Sequence, residues 1–214
     1  MPKAELSALV SASQTWLEHN LSSPSALSRR PQWTCAALGG CLAELSGTGA
    51  APVLTLALSL VRQVQQQGEP VAWITSTDST FFPPDAADSG VDLATLPVIR
   101  LTEVRHRVRA ADHLAGSGAF GLLVIDLGEC VDLPLASQTR LADQALSHST
   151  LILCLTTKTD RQPSLGSLVA IRGQARRINH GNDRFVCRVQ ALKDKRHGPG
   201  WTDEELFRGP DGMR

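Results

Sequence analysis

Short apolar runs alternate with longer, helix-like segments along residues 41–156. The apolar runs are CLAELS, VAWIT, LPVIRL, FGLLVIDL and TLILCLT, and the segments between them include 53–67, 102–114 and 137–148. This alternation predicts a parallel sheet, because two adjacent parallel strands need a crossover connection that is usually a helix. We therefore expect an α/β fold with a mostly parallel, twisted sheet and helices on both faces, and Thr102 as the N-cap of its helix.

The pattern changes after residue 165. Two β-like runs, SLVAIRGQARRI and DRFVCRVQALKDKR, flank the turn-forming cluster NHGND and predict an antiparallel hairpin at the edge of the sheet. Residues 172–197 hold eight Lys or Arg against two Asp, a local charge of 8 − 2 = +6, although the charges of the whole chain balance. These cations can protect an edge strand from aggregation, or they can contact phosphate or an acidic partner.

Both ends of the chain are expected to lie outside a core domain at 37–198. Residues 1–36 predict an amphipathic helix followed by a Ser- and Pro-rich linker. Residues 199–214 predict a flexible tail. In that tail, Thr202 and Glu205 have the spacing of a capping box, which favours a short helix.

Cysteine, histidine and hydropathy patterns exclude several classes of protein. The five cysteines are odd in number and include no C-x-x-C pair, which indicates buried reduced thiols. The six histidines show no H-E-x-x-H or clustered spacing, so we expect no metal site. The longest apolar runs are far shorter than the ~20 residues that a bilayer requires, and no leader is recognisable. We expect a cytoplasmic protein with no membrane partner.

The stretch AELSGTGAAPVLTLALSL has the strand, glycine turn and helix layout that holds a nucleotide's phosphates, but its key positions differ. A P-loop requires G-x-x-x-x-G-K-[ST]. Counting from Gly47, the second glycine is replaced by Pro52, the lysine by Val53 and the hydroxyl residue by Leu54. Pro52 removes an N–H donor, Val53 supplies no cation, and Leu54 cannot ligate Mg²⁺. The sequence predicts a degenerate P-loop, no nucleotide cofactor and no catalytic residues.

The run FGLLVIDL carries Asp126 where P-loop enzymes keep a carboxylate that orders Mg²⁺. Four apolar residues followed by Asp also describe many buried parallel strands, so both interpretations stay open.

The serial order of these stretches resembles the RecA recombinase core over roughly residues 38–200. The most specific parts are PPDAADSGVDL and SGAFGLLVID. Within this RecA-like group, the F-x-P-x-x-A-x-x-GVDL and SLGSLVAIR segments are more similar to the ImuA family than to RecA itself. The resemblance implies a RecA-like fold and a non-catalytic accessory role in SOS-induced translesion synthesis and mutagenesis. It also implies two partners, RecA and ImuB, a catalytically dead relative of Y-family polymerases.

The departures from RecA have their own implications. RecA has a catalytic Glu after the strand that corresponds to VAWIT, whereas STDST offers only Asp78. The two connections that correspond to the DNA-binding loops of RecA are short here, namely GECVDLPLA and TKTDRQPS. Two alternatives stay open: a cell-division inhibitor similar to SulA, and a residual binder of nucleotide or single-stranded DNA. A weak contact between the Arg-rich hairpin and DNA is a further possibility.

In RecA filaments a K-x-K segment reaches across the subunit interface to the neighbour's ATP, and LKDKR presents Lys193 and Lys195 at the matching place. Two residues apart, they would share one face of a strand. The hypothesis is that the chain docks on RecA through these lysines and, lacking an ATP-filled face of its own, caps or limits the filament. The alternative is a charged edge strand. The further candidates for partner contacts are Arg196, Trp201, Leu206 and Phe207.

Overall fold

The computed structural model describes residues 31–79, 81–130, 132–179 and 184–208, and these form one eight-stranded sheet with helices. The strands in chain order are β1 (Leu42–Ser46), β2 (Val71–Thr75), β3 (Val98–Arg100), β4 (Leu122–Gly128), β5 (Leu151–Thr156), β6 (Ile171–Asn179), β7 (Arg184–Asp194) and β8 (Thr202–Arg208). The α-helices are α1 (Cys35–Leu38), α2 (Val53–Gln66), α3 (Pro83–Asp88), α4 (Val104–Gly116) and α5 (Leu135–His148). A 3₁₀ turn spans Leu93–Thr95.

The predicted α/β architecture is confirmed. The strand order is β3-β2-β4-β5-β1-β6-β7-β8, in which β1 to β6 are mutually parallel and β7 is antiparallel to both β6 and β8. Each of the central strands β2, β4 and β5 reads as a continuous apolar run because both of its faces are buried. The predicted antiparallel hairpin is the pair β6–β7, and its turn lies outside the described residues. The predicted position at the edge of the sheet is wrong, because β8 pairs with β7 and forms that edge.

Two apolar layers lie on opposite sides of the sheet. One layer joins α2 and Trp33 to strand residues such as Leu45 and Val124. The other joins α4 and α5 to residues such as Leu42 and Ile125. Neighbouring strand residues fall into different layers because successive side chains of a strand point to opposite faces. The expected helices on both faces are therefore present.

One predicted helix start is wrong. The helix α4 begins at Val104, and its N-cap is Glu103, whose side chain makes no capping hydrogen bond. Thr102 lies one residue too early for this role. Its hydroxyl is instead 3.5 Å from that of Thr77, which follows the neighbouring strand β2. A contact between two loops has replaced the local cap.

The predicted C-terminal helix and tail are also wrong for residues 202–208, which form the edge strand β8. The capping box is a local signal, and long-range contacts override it. Asp203 accepts a hydrogen bond from the main-chain N–H of Trp33 at 2.8 Å. The Ser59 hydroxyl donates to Glu205 at 3.1 Å, and the Phe207 ring stacks on Phe185 with centroids 6.0 Å apart.

The compact unit that contains the sheet begins at Pro31, so its N-terminal boundary lies before the predicted residue 37. Trp33 explains the difference, because its side chain is buried in the apolar layer beside α2. The predicted amphipathic helix falls within residues 1–30, outside the described residues. Within the described part, no helix is both long and apolar enough to cross a bilayer.

All five cysteines belong to the described residues and carry free thiols, four of them buried. Burial raises the pKa of Cys35 to about 12 and that of Cys187 to about 12. A raised pKa keeps these thiols protonated and unreactive at neutral pH. The prediction of buried reduced thiols therefore holds for four of the five; Cys130 is half-buried.

Two adjacent substitutions in β8 test the strand assignment. We expect Phe207→Ala to lower the free energy of unfolding by about 2 kcal/mol, because it removes a partly buried ring stacked on Phe185. Leu206→Ala should change that free energy by no more than about 0.5 kcal/mol, because Leu206 is exposed. Urea unfolding measures both. A short helix stapled through Leu206 would give the reverse order, with the larger loss for Leu206→Ala.

Candidate functional site

The loop between β1 and α2, residues 47–52, lies at the carboxyl end of a central strand. In α/β sheets ligands bind outside the carboxyl ends of the strands. The strand β6 continues past its last pair with β1, Gln174 with Ser46, and forms a wall beside the loop. An open cleft of about 640 Å³ lies between this wall, the loop and residues 159–160 of the β5–β6 connection. This cleft is the candidate site.

The β1–α2 loop is closed on itself. The Gly47 N–H donates to the Thr156 carbonyl at 3.1 Å, the Ala51 N–H to the Thr48 carbonyl at 3.3 Å, and the Val53 N–H to the Ala51 carbonyl at 2.9 Å. Pro52, at the N-cap of α2, has no N–H to offer. A phosphate cradle needs several such N–H groups pointing at one anion. At these positions the donors are used internally or are missing.

The side chains of the loop also fill the space above Gly47. A Cβ atom on Gly47 would lie 2.6 Å from the Ala51 Cβ and 2.7 Å from the Val53 Cγ2. The residue in the lysine position of a P-loop, Val53, therefore packs back on the loop. Leu54, in the hydroxyl position, packs against the apolar layer beside α2.

Asp126 is held by hydrogen bonds within the sheet. Its carboxylate accepts from the Thr75 hydroxyl at 2.9 Å and from the Gly128 N–H at 3.1 Å. The buried Arg107 of α4 donates to the main-chain carbonyl of Asp126 at 2.7 Å. These contacts tie the end of β4 to β2 and α4, so the residue has a structural role.

A buried ionic cluster lies beneath the cleft, and the sequence interpretation missed it. It consists of Glu44 in β1, Lys158 just after β5 and Arg172 in β6, each at most 2 % exposed. The Glu44 Oε1 lies 3.3 Å from the Lys158 Nζ and 3.9 Å from the Arg172 Nε. The sequence signal was a charged residue inside the apolar run CLAELS, since a buried charge requires an opposite charge nearby.

The ionic cluster fixes the connection between β5 and β6. Glu44 accepts from the Leu165 N–H at 2.8 Å, and Lys158 donates to the Pro163 carbonyl at 3.2 Å. Arg172 donates to the main-chain carbonyls of Thr159, at 2.8 Å, and of Gln162. Burial lowers the pKa of Arg172, and the charge of Glu44 opposes that shift. The residues after β5 are therefore bound to the sheet through buried charges.

Two arginines of β6 line the cleft. Arg176 forms an ion pair with Asp160 at 2.8 Å, and the Arg177 guanidinium lies 4.0 Å from the centre of the Phe185 ring. Both side chains are exposed. Exposed guanidinium groups beside a cleft can bind an anion through several N–H donors.

Lys193 and Lys195 lie near the amino end of β6, whereas the cleft lies at its carboxyl end. The reason is that β7 runs antiparallel to β6 and its Asp194 pairs with Ile171. They do not share a strand face, since β7 ends at Asp194. The Lys193 Nζ donates to the carbonyls of Gly166, at 3.0 Å, and Ser167, at 3.2 Å. Burial lowers the pKa of Lys193, and the positive charge of Lys195 adds to that shift. Lys195 is exposed.

The other candidate contact residues are mostly held within the fold. The Arg196 guanidinium donates to the carbonyls of Ala37, at 3.0 Å, and Gly39, at 3.3 Å. The Trp201 indole N–H donates to Asp194 at 2.9 Å. Phe207 is partly buried in the apolar layer, whereas Leu206 is exposed.

Asp194 organises this end of the hairpin. Its carboxylate accepts from the Trp201 indole, from the Arg196 N–H at 2.7 Å and from the His197 N–H at 3.1 Å, and it lies 3.1 Å from the His197 Nδ1. Burial alone would raise the pKa of Asp194, but these hydrogen bonds together hold it below its usual value.

No protein-family model matches the chain, and the search of curated proteins found no match either. The interpretation of the site therefore rests on its geometry and chemistry.

The buried ionic cluster predicts a large effect for a small change. Glu44→Gln leaves Lys158 and Arg172 buried without their carboxylate, and we expect it to lower the free energy of unfolding by about 3–5 kcal/mol. The double variant Glu44→Gln/Lys158→Met should lose less than the single variant, because one buried charge is removed as well. Exposed Glu129→Gln is the matched control, with a change of at most about 0.5 kcal/mol. Equal urea midpoints for Glu44→Gln and the control would contradict the role of the cluster.

The lowered pKa of Asp194 predicts a pH-dependent contribution to stability. A carboxylate whose pKa is lower in the folded state stabilises the fold above its unfolded-state pKa of about 3.9, and this contribution is lost as the pH falls through the folded-state value. Asp194→Asn should therefore be less stable than the parent at neutral pH, and the difference should shrink on acidification. Unfolding curves from neutral pH downward measure it. A difference that is constant with pH would exclude the ionised carboxylate as its source.

Proposed function

We propose that the chain is a non-catalytic, RecA-like accessory protein of SOS-induced translesion synthesis, similar to the ImuA family, that acts in the cytoplasm by binding RecA and an ImuB-type relative of Y-family polymerases. The observation that carries the proposal is the closed β1–α2 loop. It occupies the place of a phosphate-binding loop at the centre of a parallel sheet. The N–H groups of Gly47, Ala51 and Val53 donate to main-chain carbonyls of the fold, and the Ala51 and Val53 side chains fill the space above Gly47.

The β5–β6 connection supports a binding role that does not use a RecA-type DNA loop. In the RecA resemblance, the connection after this strand corresponds to a DNA-binding loop. Here Lys158 and Arg172 tie its main chain to the sheet through buried hydrogen bonds. A segment held in this way is not free to wrap a DNA strand.

The two ends of the sheet, along the strand direction, support a capping mechanism. A head-to-tail filament needs two complementary faces on every subunit. The end of the sheet with Lys195 can meet a neighbour, whereas the end with the closed loop offers no bound nucleotide to the next subunit. Because Lys193 already donates to two main-chain carbonyls, Lys195 is the lysine available to a nucleotide bound by RecA.

A second candidate function, residual binding of nucleotide or single-stranded DNA, is favoured by one observation. The cleft beside the closed loop is open and is lined by Arg176 and Arg177. Guanidinium groups can bind phosphate without a P-loop. In this function the arginines, and not Lys195, would carry the affinity.

The proposal is tested by adding the purified chain to RecA filaments assembled on single-stranded DNA with ATP. We expect the chain to bind RecA and to shorten filaments in electron micrographs. Lys195→Ala should weaken binding about fivefold or more, which corresponds to roughly 1 kcal/mol. Arg109→Ala, an exposed change on α4, is the control and should leave binding unchanged.

Three outcomes separate the candidates. Saturable ATP or oligonucleotide binding by the chain alone, abolished by Arg176→Ala/Arg177→Ala, favours the residual binder. Capture of the tubulin-like division protein instead of RecA and ImuB, when all three are offered together, favours the role similar to SulA. RecA binding that Lys195→Ala leaves unchanged contradicts the proposed docking end of the sheet.

A further inference from the structure

The two faces of the sheet differ, over the three strands β6, β7 and β8, in what packs against them. Residues directly opposite on paired strands share a face, so each row across the strands can be assigned to one side. On one side the rows are Ala175–Val189–Asp203, Arg177–Cys187–Glu205 and Asn179–Phe185–Phe207. The apolar members of these rows belong to the layer beside α2. This side is part of the core.

The other side forms what we call the open sheet face. Its rows are Gln174–Gln190–Thr202, Arg176–Arg188–Glu204 and Ile178–Val186–Leu206. The helices α4 and α5 cover this side of the sheet over β1, β2, β4 and β5. The β5–β6 connection covers the beginning of β6, at Arg172 and Gln174, and reaches Arg176 through Asp160. Among the described residues, no helix packs over the remaining two rows.

The middle row of the open sheet face has an unusual charge order. Arg176 and Arg188 are directly opposite each other, an arrangement that is destabilising for like charges. Asp160 pairs with Arg176 at 2.8 Å on one flank, and Glu204 pairs with Arg188 at 2.6 Å on the other. The row therefore reads negative, positive, positive, negative. Its centre is where one further anionic group would be stabilised.

Both arginines remain accessible to such a group. Their side chains are 53 % and 41 % exposed. A guanidinium has five N–H donors, and Glu204 engages the Nε and Nη2 of Arg188 through a single oxygen. A carboxylate placed between the two arginines would meet donors from both.

The neighbouring rows indicate what kind of molecule carries that carboxylate. Ile178, Val186 and Leu206 form an apolar row beside the charged one, and Leu206 is 52 % exposed. A nucleic acid would bring its phosphates past Asp160 and Glu204, and it would leave the apolar row unused. A protein segment with acidic and apolar side chains complements both rows.

We propose that the open sheet face binds a protein segment that inserts a carboxylate between Arg176 and Arg188 and packs apolar side chains on Ile178, Val186 and Leu206. This surface is distinct from the end of the sheet with Lys195, and the proposal holds whether or not RecA is a partner. Binding of single-stranded DNA by the Arg-rich hairpin is an alternative that the test below distinguishes.

Fluorescence anisotropy with four labelled probes tests the proposal on the full chain. The probes are an amphipathic peptide of Glu and Leu, the same peptide with Lys for Glu, the same peptide with Ser for Leu, and a short oligothymidine. We expect the Glu and Leu peptide to bind about tenfold or more tightly than the other three. In an NMR spectrum of the isotope-labelled protein, the amide chemical shifts that change on adding this peptide should belong to residues of the open sheet face.

Matched variants locate the binding. Arg188→Ala and Leu206→Asp should each weaken binding of the Glu and Leu peptide about tenfold. Arg109→Ala on α4 and Leu146→Asp, at an exposed leucine of α5, should leave it unchanged. Preferential oligothymidine binding, equal binding of all peptides, or shift changes away from the face would overturn the proposal. So would self-association in sedimentation velocity that Leu206→Asp abolishes, since the occupant would then be a second copy of the chain.

Discussion

The carboxylate of Glu44 in the middle of β1 is the constraint on which the rest of the site depends. A charge buried at this depth is tolerated only with opposite charges and hydrogen bonds around it, and Lys158 and Arg172 supply the charges. Both cations also donate to main-chain carbonyls of the β5–β6 connection. The ionic cluster therefore holds together the central strand, its neighbour β6 and the β5–β6 connection, whose Leu165 and Val169 also pack in the apolar layer beside α4 and α5.

The fixed connection determines the shape of the cleft. The Thr156 carbonyl at the end of β5 accepts the Gly47 N–H, so the same strand whose continuation is pinned by Lys158 also closes the β1–α2 loop. Asp160, held near β6 by this arrangement, pairs with Arg176. The cleft is left with exposed guanidinium groups and no phosphate cradle. The residues of the β1–α2 loop and its closure are in this way parts of one packed arrangement.

Most of the fold could be predicted from sequence because it depends on local patterns. VAWIT matches β2, and TLILCLT differs from β5 by one residue, because apolar runs buried on both faces have clear boundaries. The prediction was wrong where distant contacts decide. Residues 202–208 carry a capping box, but pairing with β7 and the bond from Trp33 make them a strand. The partners of Glu44 lie far away in sequence, so the cluster was not visible before the strands were placed side by side.

The distribution of free cations changes what the charged hairpin is able to bind. Arg172, Lys193 and Arg196 donate to main-chain carbonyls of the chain itself, so their charges stabilise the fold and are not available to a polyanion. Arg176 and Arg188 are each paired with a carboxylate, and the exposed Arg177 lies over the Phe185 ring. Arg184 and Lys195 are the further exposed cations of this segment. A local charge of +6 in sequence therefore becomes a mixed surface in three dimensions. The occupant that we propose for the open sheet face, a protein segment with a single acidic group in an apolar setting, complements this mixed surface better than a chain of phosphates does.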